Sequence, residues 1–376
     1  MIKLLHTGDV HLDSPFSGLS ADAAEARRRE SRAVFTSMMT YARGNVDLIL
    51  IAGDLLDTSY VTQSTAKFLS DEFEKVGCPV FISPGNHDPY SPDGIWSKIS
   101  LPDNVHVFNS DVLQKFSVDS LGVDVYGYAF TSKSLRESPL GTGAVADRGR
   151  INLICAHADM ASPISEYAPL SVPMLEHFGA DYAALGHIHN AEDYMGSAGR
   201  CTYAYCGCPE GRSFDECGTK GAIICTFERQ SGGVLKTDFI YKRFCRRKYE
   251  KLTVDVTGAE TKSDIISAIK AAMTKKNVGA DTLLRVTLTG AVSPLAELKT
   301  DRITDGDIGV FYRELRDETS PVLSADVLRD DLSIKGAFYR ELLPKLESDD
   351  PEERRAASMA LKYGLAALSG SDVVDF

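Results

Sequence analysis

The chain has 376 residues, of which 43% are hydrophobic and 25% charged, and its formal net charge is −12. This length allows two or three domains with a large core, and the composition is that of an ordinary soluble globular protein. The acidic balance excludes a protein that holds nucleic acid by bulk positive charge alone, but it does not exclude a nuclease with local basic patches. No apolar run is long enough to cross a bilayer, and the N-terminus lacks a signal peptide pattern, so we expect a cytoplasmic protein with no membrane partner.

The first part of the chain predicts alternating strands and helices. Strands at residues 2–7, 46–52 and 80–83 flank helices at about 22–43 and 62–76. The continuously apolar second strand is typical of a strand buried on both faces. Such alternation predicts an α/β fold whose strand ends converge on one edge of a sheet.

The following part predicts more strands but few helices. We expect strands at residues 105–108, 123–128, 151–156, 182–185 and 222–227, and therefore more antiparallel pairing than in the first part. Loops rich in Ser, Gly and Pro are expected at 131–149 and 196–221. The second loop carries four cysteines without a C-x-x-C pair, which favours reduced thiols over a zinc site; they are Cys201, Cys206, Cys208 and Cys217.

A second region is predicted beyond residue 249, where apolar alternation resumes. It includes a helix at 261–276, a short helix that starts at Ser293 and Pro294, and a last strand at 308–315. The chain then looks helical, and the apolar stripe of its last helix either packs on this protein or docks a partner helix. We therefore divide the chain into residues 1–245, 249–318 and 320–376.

Short polar motifs follow five of the predicted strands. Each motif alone is common in loops, but five of them in this order predict one site at the sheet edge where α/β sheets place ligands. Carboxylate and imidazole side chains suit Mn, Fe or Zn, and a pair of divalent ions needs a bridging carboxylate. We expect the glycines of these motifs to allow sharp turns. The motifs are Asp9-x-His11, Gly53-Asp54-x-x-Asp57, Gly85-Asn86-His87-Asp88, His157 and Gly186-His187-Ile188-His189.

Together these motifs resemble the calcineurin-like metallophosphoesterase superfamily. Within it, residues 5–16 (LHTGDVHLDSPF) and 207–214 (GCPEGRSF) are similar to the nuclease subunit of the bacterial SbcCD complex, and most of all to its YhaO-type relatives. The resemblance implies a metallophosphoesterase β-sandwich flanked by helices over residues 1–245. It also implies a small βαβαβ capping domain and a helical, partner-binding C-terminal region.

The resemblance implies a role for each motif residue. His87 would stabilise or protonate the departing oxygen, and Asp88 would orient its ring. The first metal would be bound by Asp9, His11 and His189, the second by Asn86, His157 and His187, and Asp54 would bridge them.

Two further residues are candidates for substrate contacts. Arg212 suits a bidentate phosphate contact, with a structural ion pair as the alternative. Asp57 stands where many related nucleases carry a histidine, and it is either a substrate-site residue or a helix-start residue. A basic cluster at Arg27, Arg28, Arg29 and Arg32 is interpreted as a solvated face.

The preferred functional hypothesis is a DNA exonuclease or endonuclease that acts in DNA repair with two divalent ions, Mn²⁺ before Fe or Zn. Its expected partner is an SbcC-like coiled-coil ATPase, and the related nucleases suggest a homodimer. One alternative is a phosphatase or phosphodiesterase acting on small nucleotides or phosphoproteins. The other is a non-catalytic assembly scaffold for the ATPase.

Overall fold

The computed structural model describes residues 1–58, 60–190, 195–230, 235–292, 300–321 and 325–368. The chain divides into two compact units, Met1–Glu250 with Asp281–Leu283, and Lys251–Ala280 with Leu284–Phe376. None of the helices in the described ranges has the length and apolar character needed to cross a membrane.

Among the described residues, the first unit contains two six-stranded sheets. Its helices are α1 (Ala21–Ala42), α2 (Gln63–Val76), α3 (Ile95–Lys98) and α4 (Val172–Phe178), with a 3₁₀ turn at Pro139–Thr142. Its strands are β1 (Ile2–Thr7), β2 (Leu48–Ile51), β3 (Val80–Ile82), β4 (Val105–Val107), β5 (Gln114–Val118), β6 (Val123–Gly127), β7 (Ile151–His157), β8 (Tyr182–Gly186), β9 (Met195–Ala198), β10 (Cys201–Tyr205), β11 (Gly221–Arg229) and β12 (Leu235–Arg243).

The first sheet has the order β12-β11-β1-β2-β3-β4, and the second has the order β5-β6-β7-β8-β10-β9. The strands β1 to β4 are parallel, as expected for alternating strands and helices. The expectation of a mainly antiparallel second half is wrong, because β6, β7, β8 and β10 pair in parallel. Parallel neighbours need a long crossover, and the 3₁₀ segment between β6 and β7, α4 and the β9 excursion supply it.

The two sheets pack face to face around a shared apolar core. Leu4, Leu50 and Phe81 of the first sheet pack with Val125 and Leu153 of the second. The other face of the first sheet packs on α1 and α2, and that of the second sheet packs on α4. The predicted β-sandwich flanked by helices is therefore confirmed.

Some elements differ from the sequence prediction. Strand β10 lies inside the segment predicted as a loop, and β5, β9 and β12 were not predicted. Helix α1 is capped by the Ser20 side chain, which accepts from the Ala23 N–H, and not by Asp22. The helix predicted at Ser293 and Pro294 lies outside the described residues.

The second unit has its own sheet, β13-β14-β16, and a short β15-β17 pair. The predicted last strand starts too early, because Ile308 ends a helical turn that Thr304 and Asp307 cap reciprocally. The division into a capping domain and a helical region stays a prediction. The elements are β13 (Lys248–Asp255), α5 (Lys262–Lys276), β14 (Thr282–Thr289), β15 (Ala291–Val292), α6 (Asp305–Ile308), β16 (Tyr312–Asp317), β17 (Ser320–Pro321), α7 (Ala325–Asp330), α8 (Ile334–Leu346) and α9 (Pro351–Leu368), with a 3₁₀ turn at Thr300–Arg302.

A buried arginine joins α1 to the loop that follows β10. The interpretation of the basic cluster as a solvated face is wrong for Arg27, whose side chain is fully buried. Its guanidinium lies 2.5 Å from Glu210 and 2.8 Å from Glu30, and it donates to the Gly211 carbonyl oxygen. Because Glu210 is itself buried, the loop depends on this cation for charge compensation.

We expect Arg27→Ala to lower the free energy of unfolding by about 3–5 kcal/mol, since it leaves the Glu210 carboxylate buried without a partner. Urea denaturation measures the change. The control is Arg29→Ala on the same helix, whose exposed pair with Glu25 should contribute at most about 0.5 kcal/mol. Equal effects of the two substitutions would contradict this account.

Candidate metal centre

The five sequence motifs come together at one edge of the sandwich. The strands β1, β2 and β3 run parallel in one sheet, β7 and β8 run parallel in the other, and each motif lies at or just beyond the carboxyl end of its strand. Within the described ranges, three sets of side chains place one ligand atom each within 4.8 Å of one another, and they can bind a metal ion. These sets are Asp9, His11 and His189; Asp9, Asp54 and His157; and His11, Asp57 and His87.

Asp54 lies between the first two sets. Its Oδ2 atom is 3.6 Å from His11 Nε2 and 3.5 Å from His157 Nε2. Its other oxygen accepts from the His87 backbone N–H at 2.9 Å, which fixes the rotation of the carboxylate. This position is the one that a carboxylate shared by two ions would need.

The protonation of His157 shows why these atoms suit a cation. Its Nδ1 lies 3.0 Å from the Ala52 carbonyl oxygen, which can only accept, so Nδ1 carries the proton. The lone pair on Nε2 then faces Asp54 Oδ2 at 3.5 Å and the Asn86 side-chain amide at 2.9 Å. A lone pair directed at a carboxylate is unfavourable unless a positive ion lies between them.

His11 provides a second indication of fit. Its side chain is almost fully buried, and neither ring nitrogen has a hydrogen-bond partner among the described residues. Burial and the nearby Arg212 charge hold the pKa of His11 well below its usual range, so the imidazole is neutral. Leaving such a group unpaired costs about 1–3 kcal/mol, which coordination of a metal would offset.

His189 is oriented by an acidic residue that the sequence analysis did not identify. Its Nδ1 lies 2.6 Å from Glu216 Oε1, which directs Nε2 towards Asp9 at 3.7 Å. Burial opposes ionisation of Glu216, but the bond to His189 and the Arg212 charge outweigh it and lower the pKa of Glu216 to about 2. A carboxylate that accepts from the far nitrogen of a ligating imidazole is typical of metal sites.

His187 lies beside the same centre but in none of the three described sets. Its ring centroid is 5.2 Å from that of His157, and its backbone N–H donates to the Asp9 carboxylate at 3.0 Å. Its Nε2 faces Asp159 at 3.9 Å. Burial and the neighbouring His157 lower the pKa of His187 to about 4, so its imidazole is also a neutral donor.

The surroundings of His87 differ from the sequence-based expectation. The Asp88 carboxylate is buried and accepts from the backbone N–H groups of Asp54, Leu55, Leu56 and Gly85, so it holds the second motif loop and does not orient the His87 ring. The acid beside that ring is Asp57, whose Oδ1 lies 3.7 Å from His87 Nδ1. The His87 side chain is 45% exposed and therefore accessible from solution.

Arg212 forms a structural ion pair in the described structure. Its Nη2 lies 3.1 Å from Glu216 and 3.0 Å from His189 Nδ1, while its buried Nε has no partner among the described residues. A phosphate contact stays a prediction. The nearby cysteines belong to none of the described metal-binding sets, and no disulfide forms among the eight cysteines of the chain.

The backbone turns at the ligands themselves. Asp9, His11, Asp54 and His187 have positive φ angles of 48°, 46°, 48° and 103°. Each such residue costs about 1–3 kcal/mol, which is typical of functional sites held by a rigid scaffold. Of the motif glycines, Gly53 turns with φ of 87°, whereas Gly85 permits close approach, because a Cβ there would overlap Asp54 Oδ1.

Comparison with known proteins places this geometry in context. Residues 2–191 match the family model described as calcineurin-like phosphoesterase. The chain is 30% identical over 302 residues to the uncharacterized metallophosphoesterase YhaO of Bacillus subtilis, which covers 77% of this chain and 72% of that protein. It is 23% identical over 397 aligned positions to the DNA double-strand break repair protein Mre11 of Methanopyrus kandleri, covering 94% and 84%. It is 26% identical over 274 residues to the SbcD component of the SbcCD nuclease of Escherichia coli K12, covering 60% and 65%.

We expect Glu216→Gln to weaken Mn²⁺ binding about 10–100-fold, because His189 loses the carboxylate that fixes its ring. Isothermal titration calorimetry measures the affinity. The matched control is Glu74→Gln, the same change at an exposed position of α2, which should leave the affinity unchanged. An unaltered affinity in Glu216→Gln would show that His189 does not need this partner.

We expect Gly85→Ala to disrupt the centre, since the added methyl group would overlap the Asp54 carboxylate. Mn²⁺ affinity should fall by at least about tenfold. Gly18→Ala is the control, because a Cβ at that position meets no atom within 4 Å. Retention of full metal affinity in Gly85→Ala would contradict the observed packing.

Proposed function

The chain belongs to the calcineurin-like phosphoesterase family, and from this membership we propose that it is a two-metal phosphodiesterase whose substrate is DNA. The observation that carries the proposal is the convergence of carboxylates and neutral imidazoles around His157 and Asp54, where lone pairs face one another. In this proposal Asp9, His11 and His189 hold one ion, Asn86, His157 and His187 hold the other, and Asp54 touches both.

When bound, two such ions would neutralise charge on the phosphoryl oxygens and lower the pKa of a water molecule. The ions are divalent, with Mn²⁺ preferred over Fe or Zn on the mixed carboxylate and imidazole donors. The residues of the chain supply the geometry. Glu216 holds His189, and the Ala52 carbonyl oxygen holds His157 in the tautomer that leaves Nε2 free.

His87 is the proposed proton donor. Its accessible ring lies beside the three ligand sets, and Asp57 faces its Nδ1. This pairing directs Nε2 away from Asp57, where it can donate a proton to the leaving oxygen of the substrate. Arg212 would contribute its unpaired Nε–H to a phosphate oxygen.

The relatives support the choice of DNA and of a partner. Two of them carry names that describe DNA repair and nuclease roles, and one is a component of a nuclease complex. We propose that residues 249–318 form a capping domain and that residues 320–376 bind an SbcC-like ATPase. The exposed side chains of Leu332 and Ile334 near the start of α8 support a docking role for the helical region.

The proposal predicts Mn²⁺-dependent hydrolysis of linear duplex DNA by the purified chain, and its loss on chelation with EDTA. The comparison substrate is bis(p-nitrophenyl) phosphate, a small diester that any two-metal phosphodiesterase should accept. Hydrolysis of the small diester alone would contradict the DNA assignment, whereas hydrolysis of neither substrate would contradict the enzymatic one.

We expect His87→Ala to slow DNA hydrolysis by about 10²–10⁴-fold, because the departing alkoxide loses its proton donor. Hydrolysis of bis(p-nitrophenyl) phosphate should change far less, since nitrophenolate leaves without protonation. Asp57→Asn should show the same selectivity at about 10–100-fold. Calorimetry should find the Mn²⁺ affinity of both variants unchanged. Equal losses on the two substrates would argue against proton donation, and weaker Mn²⁺ binding in Asp57→Asn would make Asp57 a metal ligand instead.

A further inference from the structure

A second cavity lies at the same edge of the sandwich as the metal centre. Its volume is about 630 Å³, within the range of small-molecule binding sites. It is bordered by the segment that follows His189, by the loop that carries Glu216, and by β10, β11 and β12. The lining residues are Asn190, Met195, Tyr205, Asp215, Cys217, Thr219, Lys220, Ile223, Phe239 and Tyr241.

The wall of this cavity contains a buried ammonium group. Lys220 is only 4% exposed, and its Nζ donates to Asn190 Oδ1 at 2.6 Å and to the His189 carbonyl oxygen at 3.2 Å. Both acceptors are neutral, and among the described residues no carboxylate lies within ion-pair distance of Nζ. An ammonium carries three N–H donors, so one remains available. Because a buried charge without a counter-ion is costly, the site favours an anionic ligand.

The opposite part of the lining is aromatic. Phe239 and Tyr241 alternate along β12 and therefore point to the same face of the sheet, where Ile223 is the register partner of Tyr241. Tyr205 contributes a third ring from the second sheet. Ile240 lies between the two β12 aromatics, points to the other face and is 66% exposed. Flat apolar surfaces of this kind bind planar rings by stacking.

We propose that this cavity binds a free nucleoside monophosphate, with its base against the aromatic residues and its phosphate at Lys220. Asn190, Asp215 and Thr219 provide polar groups for the edge of the base or the sugar. The aromatic and anionic character of the ligand follows from the lining alone. The choice of a nucleotide among aromatic phosphates rests on the proposed function, because hydrolysis at the end of a DNA strand releases this molecule.

The cavity shares structural support with the metal centre. Lys220 holds the carbonyl oxygen of His189, and Asp215 and Cys217 flank Glu216, which orients the His189 ring. A ligand in the cavity therefore contacts groups that position His189 without touching the ions. This arrangement separates the two sites experimentally, since a metal-free chain keeps the cavity.

The test is calorimetric titration of dAMP into the full chain in EDTA, where phosphate cannot bind to metal ions. We expect saturable one-to-one binding that Tyr241→Ala and Lys220→Met each weaken about tenfold or more. Adenosine, which lacks the phosphate, should bind more weakly than dAMP to the parent chain and equally well to Lys220→Met. The control Ile240→Ala changes the adjacent side chain on the opposite face and should leave the affinity within about twofold.

Absence of saturable dAMP binding would overturn the proposal. So would binding that Tyr241→Ala leaves intact and Asn86→Ala removes, because the nucleotide would then occupy the metal centre. Binding of a 5′-phosphorylated tetranucleotide but not of dAMP would assign the cavity to a DNA end and contradict a free-nucleotide site. DNA hydrolysis by the parent chain, measured separately with Mn²⁺, shows independently whether the proposed nuclease function holds.

Discussion

The structure depends on a cluster of electron-pair donors that face one another without protons between them. Asp54 Oδ2 lies about equally far from His11 and His157, and His157 must keep its proton on the opposite nitrogen because Ala52 offers only a carbonyl oxygen. This concentration of lone pairs in a buried pocket is unfavourable by itself. Divalent cations reverse the sign of these interactions, and for this reason the arrangement implies a metal centre.

The fold maintains this arrangement by rigidity. Four of the proposed ligands adopt positive φ angles, and the carboxyl ends of parallel strands from two sheets hold them in place. Asp88 shows the same principle, since its buried carboxylate fixes four backbone N–H groups around Asp54. The strain is distributed over short loops between strands whose cores pack tightly. Pre-organisation of this kind is what a site for two ions requires.

Much of the fold could be predicted from the sequence, because buried parallel strands are recognisable as apolar runs and the polar motifs directly follow them. The supporting residues could not be predicted in this way. Glu216 reaches His189 across 27 positions of chain, and Asp159 faces His187 from another loop, so neither has a periodic signal. The role expected for Asp88 was wrong because adjacency in sequence does not give adjacency of side chains. Strand β10 was assigned to a loop because Ser, Gly and Pro surround it.

The central claim is that the side chains at this edge bind two ions. The most direct measurement is anomalous diffraction from crystals of the chain soaked in Mn²⁺. The account predicts two adjacent peaks, one beside Asp9, His11 and His189 and one beside Asn86, His157 and His187, with Asp54 between them. A single peak away from Asp54, or no peak at this edge of the sandwich, would contradict it.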